Sequence, residues 1–326
     1  MTDPLWRGHW WAELPPAAGA AVMATAVLSV GLGQAGAPSA SAGAFALAAV
    51  AWAVLAADFL TRLFGDRPRF VREAGTPAAL TAIAATGVLG VRLSTAGRQD
   101  AAAFMLLVVA LCWPWLMYTA VRHRVRRAPG AVFLLCVAVQ CPAVLAADLG
   151  AATGRPWLER VALAAFCLGL LAYADALARF DFREVARGAG DQWVAGGALC
   201  ISALAASTLA GSPLWTGAAH TALRTTALVL LGLGLGGCAA LAAAEVRWPR
   251  PRYDVRRWAT AFPVGVAAVA TTSVAAVTGV GWLRGAGTVL LGAAVAVWLL
   301  TAAGAVRRVR AAARRRRRRR RVSGPR

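Results

Sequence analysis

Apolar residues in this chain do not alternate and do not form stripes; they fall in long runs with almost no charge, separated by short stretches bearing arginine. A run of roughly 18 or more apolar residues, wound as a helix, can cross a hydrocarbon layer about 30 Å thick. The pattern predicts ten spans: Ala17–Gly33, Ala42–Phe64, Thr76–Val91, Ala102–Val121, Gly130–Leu149, Trp157–Ala178, Gln192–Ala210, Ala219–Ala244, Trp258–Val280 and Gly285–Val306. The third is short and rich in Thr and Gly. The loops are short, which favours antiparallel hairpins of successive helices. The first run follows Pro15-Pro16 and reads as a membrane helix, with no secretory signal peptide ahead of it. The expected fold class is an all-α integral membrane protein, with residues 1–306 as the transmembrane domain and 307–326 as a disordered arginine-rich tail.

Composition agrees. Hydrophobic residues make up 59% of the 326, against about 45–50% in a soluble domain, and the mean hydropathy is +0.61. The surplus is more apolar surface than one aqueous core can hide.

The net charge of +21 at first suggests a nucleic-acid partner, but its distribution points elsewhere. The loops after the even-numbered spans hold Arg62, Arg67, Arg69 and Arg72; Arg122, Arg124, Arg126 and Arg127; Arg179, Arg183 and Arg187; and Arg247, Arg250, Arg252, Arg256 and Arg257. The opposite loops hold only Arg92, Arg98, Arg155, Arg160 and Arg284, with Arg224 near an outer helix end. Arginine excess in short loops marks the cytoplasmic side. The expected topology is therefore a multi-pass protein of the cell membrane with Met1 and Arg326 both cytoplasmic. Trp6, Trp10, Trp11, Trp157, Trp193, Trp215, Trp258 and Trp282 lie near span ends, where an amphipathic ring suits the headgroup level. The unbroken run Arg314–Arg321 is expected to lie on the anionic inner leaflet, a lipid partner, at about 1 kcal/mol per residue. No nucleic-acid role is inferred.

Catalytic chemistry has little to stand on. No paired-carboxylate, nucleophile-elbow, Walker or His/Glu metal motif is present, so no enzyme activity, cofactor or metal is expected. His9, His123 and His220 are scattered, and all six cysteines fall inside spans as small packing residues. His220 and Arg224 share a helix face near the outer side, where snorkelling is the simpler account and a shallow anion site the other. Asp58 and Arg62 close the second span as Asp175 and Arg179 close the sixth, four apart and able to pair; Glu245 and Arg247 echo them loosely.

The odd and even spans differ. Odd spans carry the small, polar and helix-disturbing residues: Thr25 and Ser29; Gly87; Pro142; Gly196; Pro263 and Gly265. Even spans are smoother Leu/Val/Ala runs, Pro114 excepted. A proline frees a backbone carbonyl, which membrane depth tolerates only where protein or a watery cavity receives it. Five hairpins with odd helices inside and even helices outside satisfy both patterns, and the inner helices have uncharged interiors suited to anions that are not held tightly.

Trp258-Ala259-Thr260-Ala261-Phe262-Pro263-Val264-Gly265 resembles the W-(x)3-F-P-(L)-G signature of the tellurite-resistance/dicarboxylate transporter family, which includes plant slow anion channels and fungal malate and sulfite transporters. Pro15-Pro16 with Val22-Met23-Ala24-Thr25-Ala26-Val27-Leu28-Ser29 is similar to its first-helix pattern, and Asp191 to Leu199 to the start of its seventh helix in some bacterial branches. The sequence departs at Ala26 and Val264, where the family often has Gly and Leu. The resemblance implies five hairpins round a central pore in a quasi-fivefold arrangement, odd helices lining it, a homotrimer, and small anions or C4-dicarboxylates such as malate as substrate. It also implies that Phe262 matches the aromatic gate of the pore; from the residues alone, Phe262 is an ordinary core aromatic beside a kink. A scaffold or sensor acting through the polyarginine tail is the alternative from another class.

Overall fold

The computed structural model describes residues 16–122, 125, 127–250 and 253–322, without the side chains of Pro16, 312, 313 and 315–322. Pro15, Trp6, Trp10, Trp11, His9, His123, Arg124, Arg126, Arg252 and Arg326 lie outside the described residues, as do the side chains of Arg315 to Arg321. The chain is helical: α1 Gly19–Gln34, α2 Pro38–Gly65, α3 Arg67–Ala74, α4 Thr81–Thr95, α5 Gln99–Arg122, α6 Leu134–Thr153, α7 Pro156–Arg179, α8 Glu184–Arg187, α9 Val194–Ala210, α10 Gly217–Arg247, α11 Trp258–Thr278 and α12 Trp282–Val322. Among the described residues nine helices are long and apolar enough to cross a membrane. The tenth, α1, has 16 residues, about 24 Å at 1.5 Å per residue. It is enclosed by other helices and need not match the hydrocarbon thickness.

Five hairpins, α1–α2, α4–α5, α6–α7, α9–α10 and α11–α12, supply these spans. Each turn has a glycine in the left-handed region: Gly36, Gly97, Gly154, Gly217 and Gly279. Three of these turns repeat one bond, from the backbone N–H two or three residues beyond the helix to a carbonyl five residues back: Ala37 to Leu32, Arg98 to Leu93 and Arg155 to Gly150. This closure satisfies carbonyls that a helix end leaves free and needs a residue without a β-carbon at the reversal.

The inner members close on themselves. α1 packs on α4, α4 on α6, α6 on α9, α9 on α11, and α11 back on α1. Within the spans, 61% to 89% of residues are buried for the inner helices built on α4, α6, α9 and α11, against 11% to 33% for α2, α5, α7, α10 and α12. Small residues set the spacing inside. A β-carbon on Gly87 would lie 3.1 Å from the Cys141 backbone, and one on Gly265 would lie 2.5 Å from Val27 Cγ1. With lipid as apolar as leucine, such close approach, not hydrophobic expulsion, holds membrane helices together. Polar side chains add bonds across helices: Trp52 Nε1 donates to Thr86 Oγ1 and Trp298 Nε1 to Thr25 Oγ1, each at 2.9 Å.

Several details differ from the sequence reading. The segment after the second span is not a plain loop but contains α3, begun by Asp66, whose carboxylate accepts the Arg69 N–H. The backbone of α12 runs on as helix through the arginine run to Val322; arginine is a good helix former and an existing helix needs no new nucleus. Trp157 and Trp282 are exposed as a headgroup belt requires, but Trp193 and Trp258 are buried at the starts of inner helices. Asp58 pairs with Arg62 at 2.7 Å and Asp175 with Arg179, as their spacing predicts. Glu245 instead binds Arg250 and Arg257, both at 2.7 Å, while Arg247 lies over the Trp248 ring. The chain folds back after α10, which brings later arginines closer than the one on the same helix.

Candidate functional site

Each inner helix is entered through a short 3-10 turn: Pro16–Ala18, Pro77–Leu80, Gly130–Phe133, Asp191–Trp193 and Val255–Arg257. These turns and the first residues after them surround a cavity of about 70 Å³. Ala17, Ala20 and Met23 come from the first, Ala78 and Thr81 from the second, Ala131 and Leu134 from the third, Asp191 and Val194 from the fourth, and Arg256, Ala259 and Phe262 from the fifth. The cavity therefore sits inside the ring at the end where the inner helices begin, which is the arginine-rich end. Phe262 has no exposed surface and lines the cavity from α11. Pro263 follows it and leaves the carbonyl of Ala259 without its helical partner.

The walls are mainly alanine, leucine, valine and methionine, with two charged groups. Asp191 is buried; its Oδ2 accepts the Ala131 N–H at 3.1 Å, and its Oδ1 has no partner. That bond ties the start of α9 to the turn before α6. Arg256 is half-exposed and pairs with Asp254 at 3.2 Å. Burial raises the nearby Glu184 carboxyl on α8, helped by the Asp191 and Asp181 carboxylates and opposed by Arg256 and Arg250. Five helix N-termini face one small space, each carrying a partial positive charge of roughly half a unit. Such a field favours an anion there.

Of the pore-lining candidates named from the sequence, only Phe262 lines this cavity. Thr25 donates to the Ala21 carbonyl and accepts from Trp298, so it faces α12. Ser29 exchanges bonds with Ser41 on α2 and accepts from Arg92 Nε at 3.1 Å, joining three helices near the opposite end. Gly87 lies against α6, and Gly196 against Cys238 on its own hairpin partner α10. Gly265 lies against α1, and Pro142 is half-buried within α6. Pro263 packs against Gly197, which nothing along the chain distinguishes from its neighbour Gly196. The inward role of Asp191 and the alanines at the helix starts was also missed; Asp191 opened a recognised segment, but nothing in its spacing says that it faces inward. Arg224 donates to the Thr278 carbonyl at 2.8 Å, at the end of α11.

An all-α, multi-pass architecture, with hairpins placing one member inside and one against lipid, defines this as a polytopic membrane protein. The chain belongs to the SLAC1 family, whose model, described as voltage-dependent anion channel, matches residues 13–306. A comparison with curated proteins finds no match. Members of this family are anion channels and transporters, which places the protein among membrane proteins that move anions.

Proposed function

We propose that the protein is a permease or channel for small anions or C4-dicarboxylates of the malate type, with Phe262 as its aromatic gate. The carrying observation is that a fully buried Phe262 ring lines a cavity to which every inner helix contributes. In this reading the ring of α1, α4, α6, α9 and α11 is a pore of fivefold plan and the cavity is its inner vestibule. The five helix N-termini draw an anion in, and the Phe262 ring stands in its path until it swings aside. Pro263 supports that role, because a helix without the Ala259 bond bends more readily.

The arginine distribution supports a cell-membrane protein with the vestibule and both termini cytoplasmic. The Arg314–Arg321 run then lies beside the anionic inner leaflet. A homotrimer, as the resemblance implies, would cover part of the apolar surface on the outer helices.

The test is anion flux in proteoliposomes, comparing chloride, nitrate, malate and sulfite for wild type and Phe262→Ala. Potential-driven flux that rises in the variant supports a gated anion pore. Equal flux in a folded Phe262→Ala protein removes the gate, and no flux of any anion in either protein removes the permease. Removing residues 314–326 should leave flux intact; loss of the cellular phenotype with flux preserved would favour a scaffold acting through the tail.

A further inference from the structure

A second, larger cavity of about 150 Å³ lies outside the ring, between α2, α3, α4 and α5. Trp52 and Leu55 of α2, Phe70 of α3, Ile83 of α4, and Val109 and Leu116 of α5 form its apolar walls. A space of this size takes an apolar segment about as large as benzene, so it would hold part of an acyl chain whose remainder lies along α2 and α5. On its α2 and α5 sides Val109 and Leu116 are buried, but Trp52, Leu55, Ala56, Phe59, Val108 and Cys112 are only half-buried, and both helices turn exposed apolar faces outward. Its opening thus lies between two lipid-facing helices.

The polar end is built differently. Arg62, buried, binds Asp58 at 2.7 Å and Glu73, and Arg69 binds Glu73 at 2.7 Å. These two acids and two bases compensate one another. Next to them α3 exposes Arg67 and Arg72 while Val71, and Phe64 just before it, are also exposed. Uncovered bases beside uncovered apolar side chains on a short helix are the signature of an element lying in the headgroup region of an anionic membrane surface.

We propose that this lateral cavity binds one acyl chain of an anionic phospholipid, whose headgroup is held by the exposed face of α3 bearing Arg67 and Arg72. The chain enters between α2 and α5 and ends against Gly19 and Thr81. Thr81 lines both this cavity and the one inside the ring, and Gly19 is so close to it that a β-carbon there would meet Thr81 Oγ1. One residue therefore separates the lipid chain from the inner cavity.

The experiment uses the full chain purified in detergent, with native mass spectrometry counting retained phosphatidylglycerol and phosphatidylcholine after the annular lipid has been stripped. Expected is one retained phospholipid per chain, the anionic species preferred, and at least a fivefold loss of retention in Ala56→Phe, which fills the cavity from α2. Arg67→Gln with Arg72→Gln should abolish the anionic preference. Retention unchanged in Ala56→Phe overturns the site, as does an oligomer that loses its contact, rather than its lipid, in that variant. Where Ala56→Phe does not fold, brominated-chain phosphatidylglycerol provides the reading. Quenching that saturates at low lipid content and disappears in Trp52→Phe supports the site; quenching that merely follows bulk lipid content overturns it.

Discussion

Gly197 on α9 faces Pro263 on α11 so closely that a β-carbon there would lie 2.8 Å from Pro263 Cγ. Pro263 adjoins Phe262, so this contact sets where α11 can carry the ring. Overpacking in a tight interior costs typically about 1–3 kcal/mol. Gly197→Ala is expected to lower the melting temperature and to change anion flux. Gly232→Ala, at a position with nothing within 4 Å, is the control and should do neither. A Gly197→Ala protein identical to wild type in both measurements would show that α11 is not held at this point.

Asp191 places a negative charge among five positive helix ends. At a separation of about 8 Å and an effective dielectric near 20, it repels a bound anion by about 2 kcal/mol. Asp191→Asn keeps an acceptor for the Ala131 N–H and removes that repulsion. The expected outcome is a rise of about thirtyfold in apparent anion affinity in a concentration series of flux, with melting little changed. Asp191→Ala should also lose stability, because it orphans a backbone donor.

Arg62 holds two carboxylates at once, its side chain 8% exposed. Removing one partner from a buried ion pair costs about 3–5 kcal/mol, because the charge left behind has no water to replace it. Arg62→Ala should be strongly destabilised in detergent denaturation. Adding Asp58→Asn to it should recover part of the loss, and failure to do so would mean the pair is not coupled.

Glu184 gives a pH signature. Burial, then the Asp191 and Asp181 carboxylates, raise its carboxyl above the ordinary value of 4.5. The folded protein therefore holds this proton more tightly than the unfolded chain. The contribution to stability is fully present below the ordinary value and is lost as pH rises through the raised one. Melting of wild type relative to Glu184→Gln should fall as pH rises above the ordinary value of 4.5; parallel curves would mean that folding does not raise the Glu184 carboxyl.

The sequence by itself determined the elements and their alternation. Uncharged runs long enough for a bilayer are legible because hydrocarbon tolerates so few residue types, and this is why the spans Gly130–Leu149 and Trp157–Ala178 begin within one residue of the elements observed. The Asp58–Arg62 and Asp175–Arg179 pairs were equally legible, since four residues along a helix is a fixed distance. Only the tertiary structure decided what each small residue faces. Gly196 and Gly197 are adjacent in the chain, yet one meets Cys238 of its own hairpin and the other Pro263 of the next. The cavity beside Phe262 is assembled from five helix starts far apart in the chain. Apolar inner helices carry no polar face to mark their inward side, so which residues meet at the centre is fixed by packing alone.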